Sequence, residues 1–242
     1  MRFGVIIPTA VRHEVQNAAW RSALGLSRFD TEVVALLNGI TAEELRGIPS
    51  GISTIQVDAF EDECDLRQWC LEYASAHKWD WCLIMHDDLE LLEGGWESDI
   101  EASKGWKVVM ASHLCWTLWD SEACSGMVKG GAEYRIGVAL CPASLAINVA
   151  AFRKRGFVTN LRRGFGYGQL ETTAWGLSQG CAVWRLWGKV YHGANFDKNT
   201  RAVNRVFPTS HPGPAPFLNV LPAEVVDDEH VRVSGKVLKV AP

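Results

Sequence analysis

The chain has 242 residues, 48% of them hydrophobic and 21% charged, a balance that excludes a disordered or fibrous protein and allows one large domain, or one domain with an appendage. Its 24 basic and 28 acidic side chains leave a formal net charge of −4, so the average surface has no field to attract polyanions and any nucleic-acid contact must come from a local patch. Seven cysteines, an odd number with no CxxC pair, fit a reduced, cytoplasmic compartment better than a disulfide framework.

Phe3 to Ile7 is a short apolar run ended by Pro8, the pattern of a strand buried on both faces. That run is too short for a signal peptide or a membrane anchor, and no later stretch reaches the roughly 18 uninterrupted apolar residues of a membrane span. Residues 13 to 26 put Val15, Ala18, Ala19, Trp20 and Ala23 at helical spacing, and TEVVALLNG reads as the next strand, with a turn at Asn38-Gly39. Ile52 to Val57 repeats the strand signal. Residues 62 to 77 then open on acids suited to a helix N-terminus and carry Leu66, Trp69, Cys70 and Tyr73 on one face. WDWCLIM, residues 79 to 85, is the following strand. The alternation predicts an α/β fold with a doubly wound, mostly parallel sheet flanked by helices, in which ligands sit just beyond the strands: at Pro8 to Arg12, Asn38-Gly39, Asp58 to Asp62 and His86-Asp87-Asp88.

After Val108 to Ala111 the alternation weakens into a Trp-, Cys- and Gly-rich stretch over 112 to 135, read as a long functional loop. Apolar and small residues return over 136 to 151, ahead of the basic RKRGFVTNLRR. GFGYGQLETTAWGLSQG predicts a glycine-rich loop leading into a helix near Glu171, and CAVWRLWGKVYH a last strand or pair of strands ending at His192. Beyond 205, prolines at 208, 212, 214, 216 and 222 argue against a packed helix, and HVRVSGKVLKV predicts a small hairpin. The domain reading is a main domain over 1–204, in halves 1–111 and 112–204, and a proline-rich C-terminal extension over 205–242.

The sharpest chemical feature is CLIMHDDLELL, a fully apolar strand that runs into two adjacent carboxylates. Buried charge there is expensive without compensation. A divalent cation compensates economically, because Mg²⁺ or Mn²⁺ takes one or two carboxylates and fills its other positions with phosphate oxygens and water. Capping of a following helix by Asp87 or Asp88 is the ordinary alternative. The absence of GxGxxG after the first strand, of GxxxxGK[ST] and of GxSxG removes the commonest dinucleotide, P-loop and hydrolase readings. Residues 87 to 101 hold seven acids and no base, and beyond the aspartate pair they read as a solvated helix face. The cysteines show no zinc-ligand spacing and are assigned to packing.

FGVIIPTAVR, EVVALLNG, DLRQWCLEYA and WDWCLIMHDDLELL, in this order and at these intervals, resemble the donor-binding half of GT-A fold glycosyltransferases of the family-two type. ASLAINVAAFRKRGF and GYGQLETTAWGLSQGCAVWRLWGKVYH extend the resemblance over roughly residues 1 to 196. It implies a nucleotide-sugar-binding half over 1–111, an acceptor and catalytic half over 112–204, and an enzyme that moves a sugar from a nucleotide diphosphate, UDP by expectation, to a hydroxyl with inversion. It implies that Asp88 ligates Mn²⁺ or Mg²⁺ in a DxD-like motif, joined by His192, while Asp87 faces the ribose or the metal's water shell. His86 stands where the first acid of that motif is expected. Pro8, Thr9 and Ala10 would meet the nucleoside, Arg12 the diphosphate, Asn38 the base and Arg67 the base or phosphates; an exposed helix arginine is the plain alternative for Arg67.

Glu171 is the implied general base that takes the acceptor's proton; an acid near a helix N-terminus also has an ordinary dipole explanation. On the acceptor side, Trp116 and Trp119 could stack on a sugar or on an exposed base. Arg153, Lys154, Arg155, Arg162 and Arg163 put five positive charges in eleven residues, to meet a diphosphate, the phosphates of a modified DNA acceptor, or only solvent. The acceptor is accordingly a saccharide, a small molecule or hydroxymethylated DNA, and a catalytically degenerate nucleotide- or sugar-binding module is the reading from another class.

Overall fold

A computed structural model of the chain describes residues 1–10, 16–45, 47–60, 62–91, 94–102, 109–111, 113–115, 128–129, 134–135, 144–157, 186–190, 223–227, 230–233 and 236–239. The elements begin with β1 (Phe3–Thr9), α1 (Gln16–Leu26), β2 (Glu32–Asn38), α2 (Ala42–Leu45), β3 (Ser53–Val57) and α3 (Glu63–Ala76). Then come β4 (Trp81–Met85), β5 (Leu89–Leu91), α4 (Trp96–Ala102), β6 (Met110–Ala111), β7 (His113–Cys115), β8 (Val128–Lys129) and β9 (Tyr134–Arg135). The last are β10 (Ser144–Asn148), α5 (Val149–Arg155), β11 (Leu186–Val190), β12 (Ala223–Asp227), β13 (His230–Val233) and β14 (Lys236–Lys239).

Six strands form the main sheet in the order β3-β2-β1-β4-β10-β6. Parallel pairs join β3, β2, β1 and β4, while β10 runs antiparallel to both β4 and β6, so five strands point one way and one the other. The expected mostly parallel α/β sheet is therefore observed. Apolar residues on both sides of β1, β2 and β4 make this arrangement favourable, because each strand can bury two faces. Phe3, Val5, Ile7, Val33, Ala35, Leu37, Trp81, Leu83 and Met85 pack with Ala19, Trp20 and Ala23 of α1 and with Trp96 and Ile100 of α4. On the opposite face Ile6, Val34, Leu36, Cys82 and Ile84 pack with Leu66, Cys70, Leu71 and Ala74 of α3 and Phe152 of α5. At about 1.5–3 kcal/mol for each large apolar side chain removed from water, these two layers dominate the folding energy.

The helix termini are encoded locally. Asp62 caps α3 by accepting from the Cys64 N–H at 2.7 Å, which satisfies a donor the helix leaves open. Asn148 caps α5 in the same way through the Ala151 N–H at 3.0 Å. Arg153, Lys154 and Arg155 form the last turn of α5, where cations suit the negative end of the helix dipole.

Three differences from the sequence reading have physical causes. Residues 87 to 101 are not one solvated helix face: β5 and α4 divide them, and Glu97 is fully buried. The 112 to 135 stretch contains β7 and the antiparallel β8–β9 pair, so it is not wholly loop. A second sheet, β5-β11-β7, joins Leu89–Leu91 to Leu186–Val190 through pairs such as Val190 with Leu89. The hairpin expected in HVRVSGKVLKV is present as β13–β14, with β12 added on its other side. The glycine-rich loop and the helix near Glu171 lie outside the described residues, as does most of the proline-rich stretch. No helix among the described residues is long and apolar enough to cross a membrane.

Candidate functional site

Strand order reverses between β1, whose crossover through α1 leads to β2, and β4 on its other side. Such a reversal opens a crevice beyond the carboxyl ends of the strands. Pairing of Thr9 with Leu37 brings the end of β1 beside Asn38, and pairing of Ile6 with Ile84 carries β4 into His86 along the other flank. The segments expected to bind the nucleotide and the cation thus meet at one edge of the sheet.

The acidic pair sits in a tight turn. Leu89 donates its N–H to the His86 carbonyl at 3.3 Å, with Asp87 and Asp88 as the two central residues; neither caps a helix, since β5 follows at once. The two carboxylates have different neighbours. Asp87 Oδ2 accepts from Gln16 Nε2 at 2.9 Å. Asp88 is buried, and its Oδ1 lies 3.9 Å from His86 Nδ1. β11 ends at Val190 beside Leu89, so the chain arrives next to this turn two residues before His192.

Around the turn, Thr9 is 1% exposed and its Oγ1 has no hydrogen-bond partner among the described residues. Pro8 and Ala10 flank it, both partly exposed. Asn38 is buried, and its Oδ1 accepts from the Phe60 N–H at 2.8 Å, tying the end of β2 to the segment after β3. Gly39 beside it has φ +71°, and a Cβ there would meet the Ala59 Cβ at 2.8 Å, so the turn requires glycine twice over. Arg67 is buried against Glu63, with Nε 2.9 Å and a terminal nitrogen 2.6 Å from Oε1. It is not an exposed helix arginine; its charge is compensated one turn back on α3.

Among the described residues, no three His, Cys, Asp or Glu side chains converge as a ligand set. Asp88, with His86 3.9 Å away, is a hard oxygen donor of the kind a divalent cation takes. Arg12, Trp116, Trp119, Arg162, Arg163, Glu171 and His192 lie outside the described residues. The packing role expected for the cysteines agrees with Cys64, Cys70 and Cys82, all buried, their thiols pushed up by burial first: Cys64 and Cys70 to about 12, Cys82 well above the ordinary range.

Gln16 is the residue the sequence reading misses. A signal for it exists: Gln16, Ala19, Trp20 and Ala23 form the buried stripe of α1, and a polar member of such a stripe needs a partner across the core.

No family model and no curated protein matches the chain. Solved structures do. Residues 1–349 of S. aureus TarS align with TM-score 0.54 at 12% identity, over 88% of this chain and 67% of that one. The same fragment in complex with UDP-GlcNAc gives TM-score 0.53 at 12% identity, over 78% of this chain and 58% of that one. GalNAc-T7 with UDP, GalNAc and Mn²⁺ gives TM-score 0.59 at 11% identity, over 78% of this chain and 43% of that one. The chain spans less than half of that GalNAc-T7 structure and of the longer TarS structure, where the shares are 43% and 39%. Both neighbours are GT-A-like glycosyltransferases, and what the chain has in common with them at 11–13% identity is their fold.

Proposed function

We propose that the chain is a glycosyltransferase that moves a sugar from a UDP-sugar to an acceptor hydroxyl. The observation that carries this reading is the turn holding Asp87 and Asp88 at the strand-order reversal, in a fold that TarS in complex with UDP-GlcNAc and GalNAc-T7 with UDP, GalNAc and Mn²⁺ have in common with it.

In this reading Pro8, Thr9 and Ala10 line the nucleoside. A buried hydroxyl without a partner costs about 1–3 kcal/mol, and a ligand hydrogen bond to Thr9 Oγ1 recovers that cost. Asn38 and Arg67 bound the base and phosphates, Arg12 meets the diphosphate, and Asp87 accepts from the ribose hydroxyls. Asp88, with His192, would hold Mn²⁺ or Mg²⁺, which would supply neutralisation of the charge on the diphosphate.

The acceptor oxygen attacks the anomeric carbon while the bond from that carbon to the diphosphate oxygen breaks. Its proton passes to the Glu171 carboxylate, and the electron pair of the broken bond departs on UDP. One displacement inverts the anomeric centre. Trp116, Trp119, Arg162 and Arg163 receive the acceptor, a saccharide, a small molecule or a modified base in DNA.

Asp88→Ala tests the reading directly. Calorimetric binding of UDP in the presence of Mn²⁺ and release of UDP from UDP-sugars are both expected to disappear while the thermal melt is kept; undiminished binding in a folded variant refutes the site. Glu171→Gln is expected to keep UDP binding and to lose transfer by about 10² or more, the scale of a general base. Wild-type turnover by that variant places the base elsewhere.

A further inference from the structure

We propose that Gln16 is a positioning residue of the donor site, its side-chain amide holding the Asp87 carboxylate in place for the nucleotide; this rests on the transferase reading above. Gln16 is 2% exposed and its Nε2 lies 2.9 Å from Asp87 Oδ2. The bond joins the helix that follows β1 to the turn that follows β4, the two segments that flank the strand-order reversal.

The chemistry of the donor matters. Lysine or arginine at position 16 would add a charge to the bond, whereas a neutral amide orients the carboxylate through a hydrogen bond alone. The Gln16 bond fixes the direction of the Asp87 carboxylate at the end of β4, which in the transferase reading is the group that faces the nucleoside's sugar. An apolar residue would complete the α1 stripe of Ala19, Trp20 and Ala23 more cheaply.

The test measures UDP affinity by calorimetry with Mn²⁺ present, alongside thermal melts. Wild type binds. Gln16→Met, of similar volume but with no donor, is expected to bind about tenfold more weakly, the size seen when a partner that orients a ligating group is removed. Gln16→Glu, which keeps the shape and sets carboxylate against carboxylate, is expected to lose more. The decisive variant is the exchange, Gln16→Glu with Asp87→Asn, which restores the hydrogen bond but moves the charge onto α1. A bond that only fastens the turn would recover both the melt and the affinity; a positioning bond recovers the melt and leaves affinity at the level of Asp87→Asn alone. Recovery of wild-type affinity by the exchange, or wild-type affinity in a folded Gln16→Met or Gln16→Glu, overturns the assignment while the transferase reading stands. Failure of the wild-type protein to bind UDP overturns both.

Discussion

Gly4 is confined to glycine by one neighbour. A Cβ at this position would lie 2.2–2.3 Å from three carbons of the Trp79 indole. That ring is buried and braced edge-on by Tyr73, with centroids 5.6 Å apart, and by His77 at 5.9 Å, so it has little room to move. Gly4→Ala is therefore expected to destabilise the fold by about 1–3 kcal/mol, the usual cost of overpacking a filled core. Urea denaturation measures it, and an unchanged midpoint would mean that the indole moves aside freely. Nothing in FGVIIPT distinguishes this glycine from any other small residue in an apolar run, because its constraint comes from a side chain 75 positions away. Asp88 differs: a carboxylate directly after a fully apolar strand is conspicuous in one dimension, and that strand, β4, pairs with β1. Asp87 was equally visible, but its partner was not, since Gln16 is 71 positions distant. Arg67 was legible as a charged group on α3 and illegible as a buried one, because only the folded helix shows Glu63 closing over it.

At the scale of elements, α4 is held by two kinds of bond that differ in worth. Glu97, fully buried, accepts from the Arg28 N–H at 3.0 Å and from the Thr31 hydroxyl at 2.9 Å through the same oxygen, Oε1. Glu101, one turn on, meets the Arg28 guanidinium at 2.7 Å, with both side chains about a third exposed. Buried hydrogen bonds to a charged group contribute about 1.5–3 kcal/mol and leave stranded donors when removed, whereas exposed ion pairs contribute under about 1 kcal/mol. Glu97→Ala is accordingly expected to cost about 2–4 kcal/mol and Glu101→Ala less than about 1, both read from urea midpoints; equal costs would contradict the assignment of α4's attachment to the buried acid. The acids of α4 look alike in sequence, which is why the whole run reads as a solvated face. β1 to β4 and α3 are legible because an uninterrupted apolar run or a capped helical stripe is a local signal. β5 is three residues long, too short to show a period of two, and it becomes a strand only by pairing with β11, about a hundred positions later.

Across the whole molecule, the face of the sheet covered by α3 and α5 also buries groups that ionise in alkali. Cys70 and Cys82 lie in that layer, Tyr73 packs at its margin, and Cys64 is buried in the first turn of α3. Burial raises the Cys64 and Cys70 thiols from an ordinary 9.0 to about 12 and the Cys82 thiol well above its ordinary value. The Tyr73 phenol rises from 10.0 to about 12, through burial first and the nearby Glu32 carboxylate second. Each group is neutral when protonated, so above pH 9 the unfolded chain releases thiol protons that the folded chain still holds. Unfolding then binds fewer protons than the native state, and stability falls as pH rises. These groups contribute their full stabilisation below about pH 9 and lose it progressively between pH 9 and 12, the window set by the raised values. The urea midpoint is thus expected to be lower at pH 10.5 than at pH 7.5. Cys70→Ala separates this cause from general alkaline repulsion: the variant loses packing and starts from a lower midpoint at pH 7.5, but without that thiol its midpoint declines less between pH 9 and 10.5. An equal decline in variant and wild type would show that the Cys70 proton plays no part in the alkaline loss.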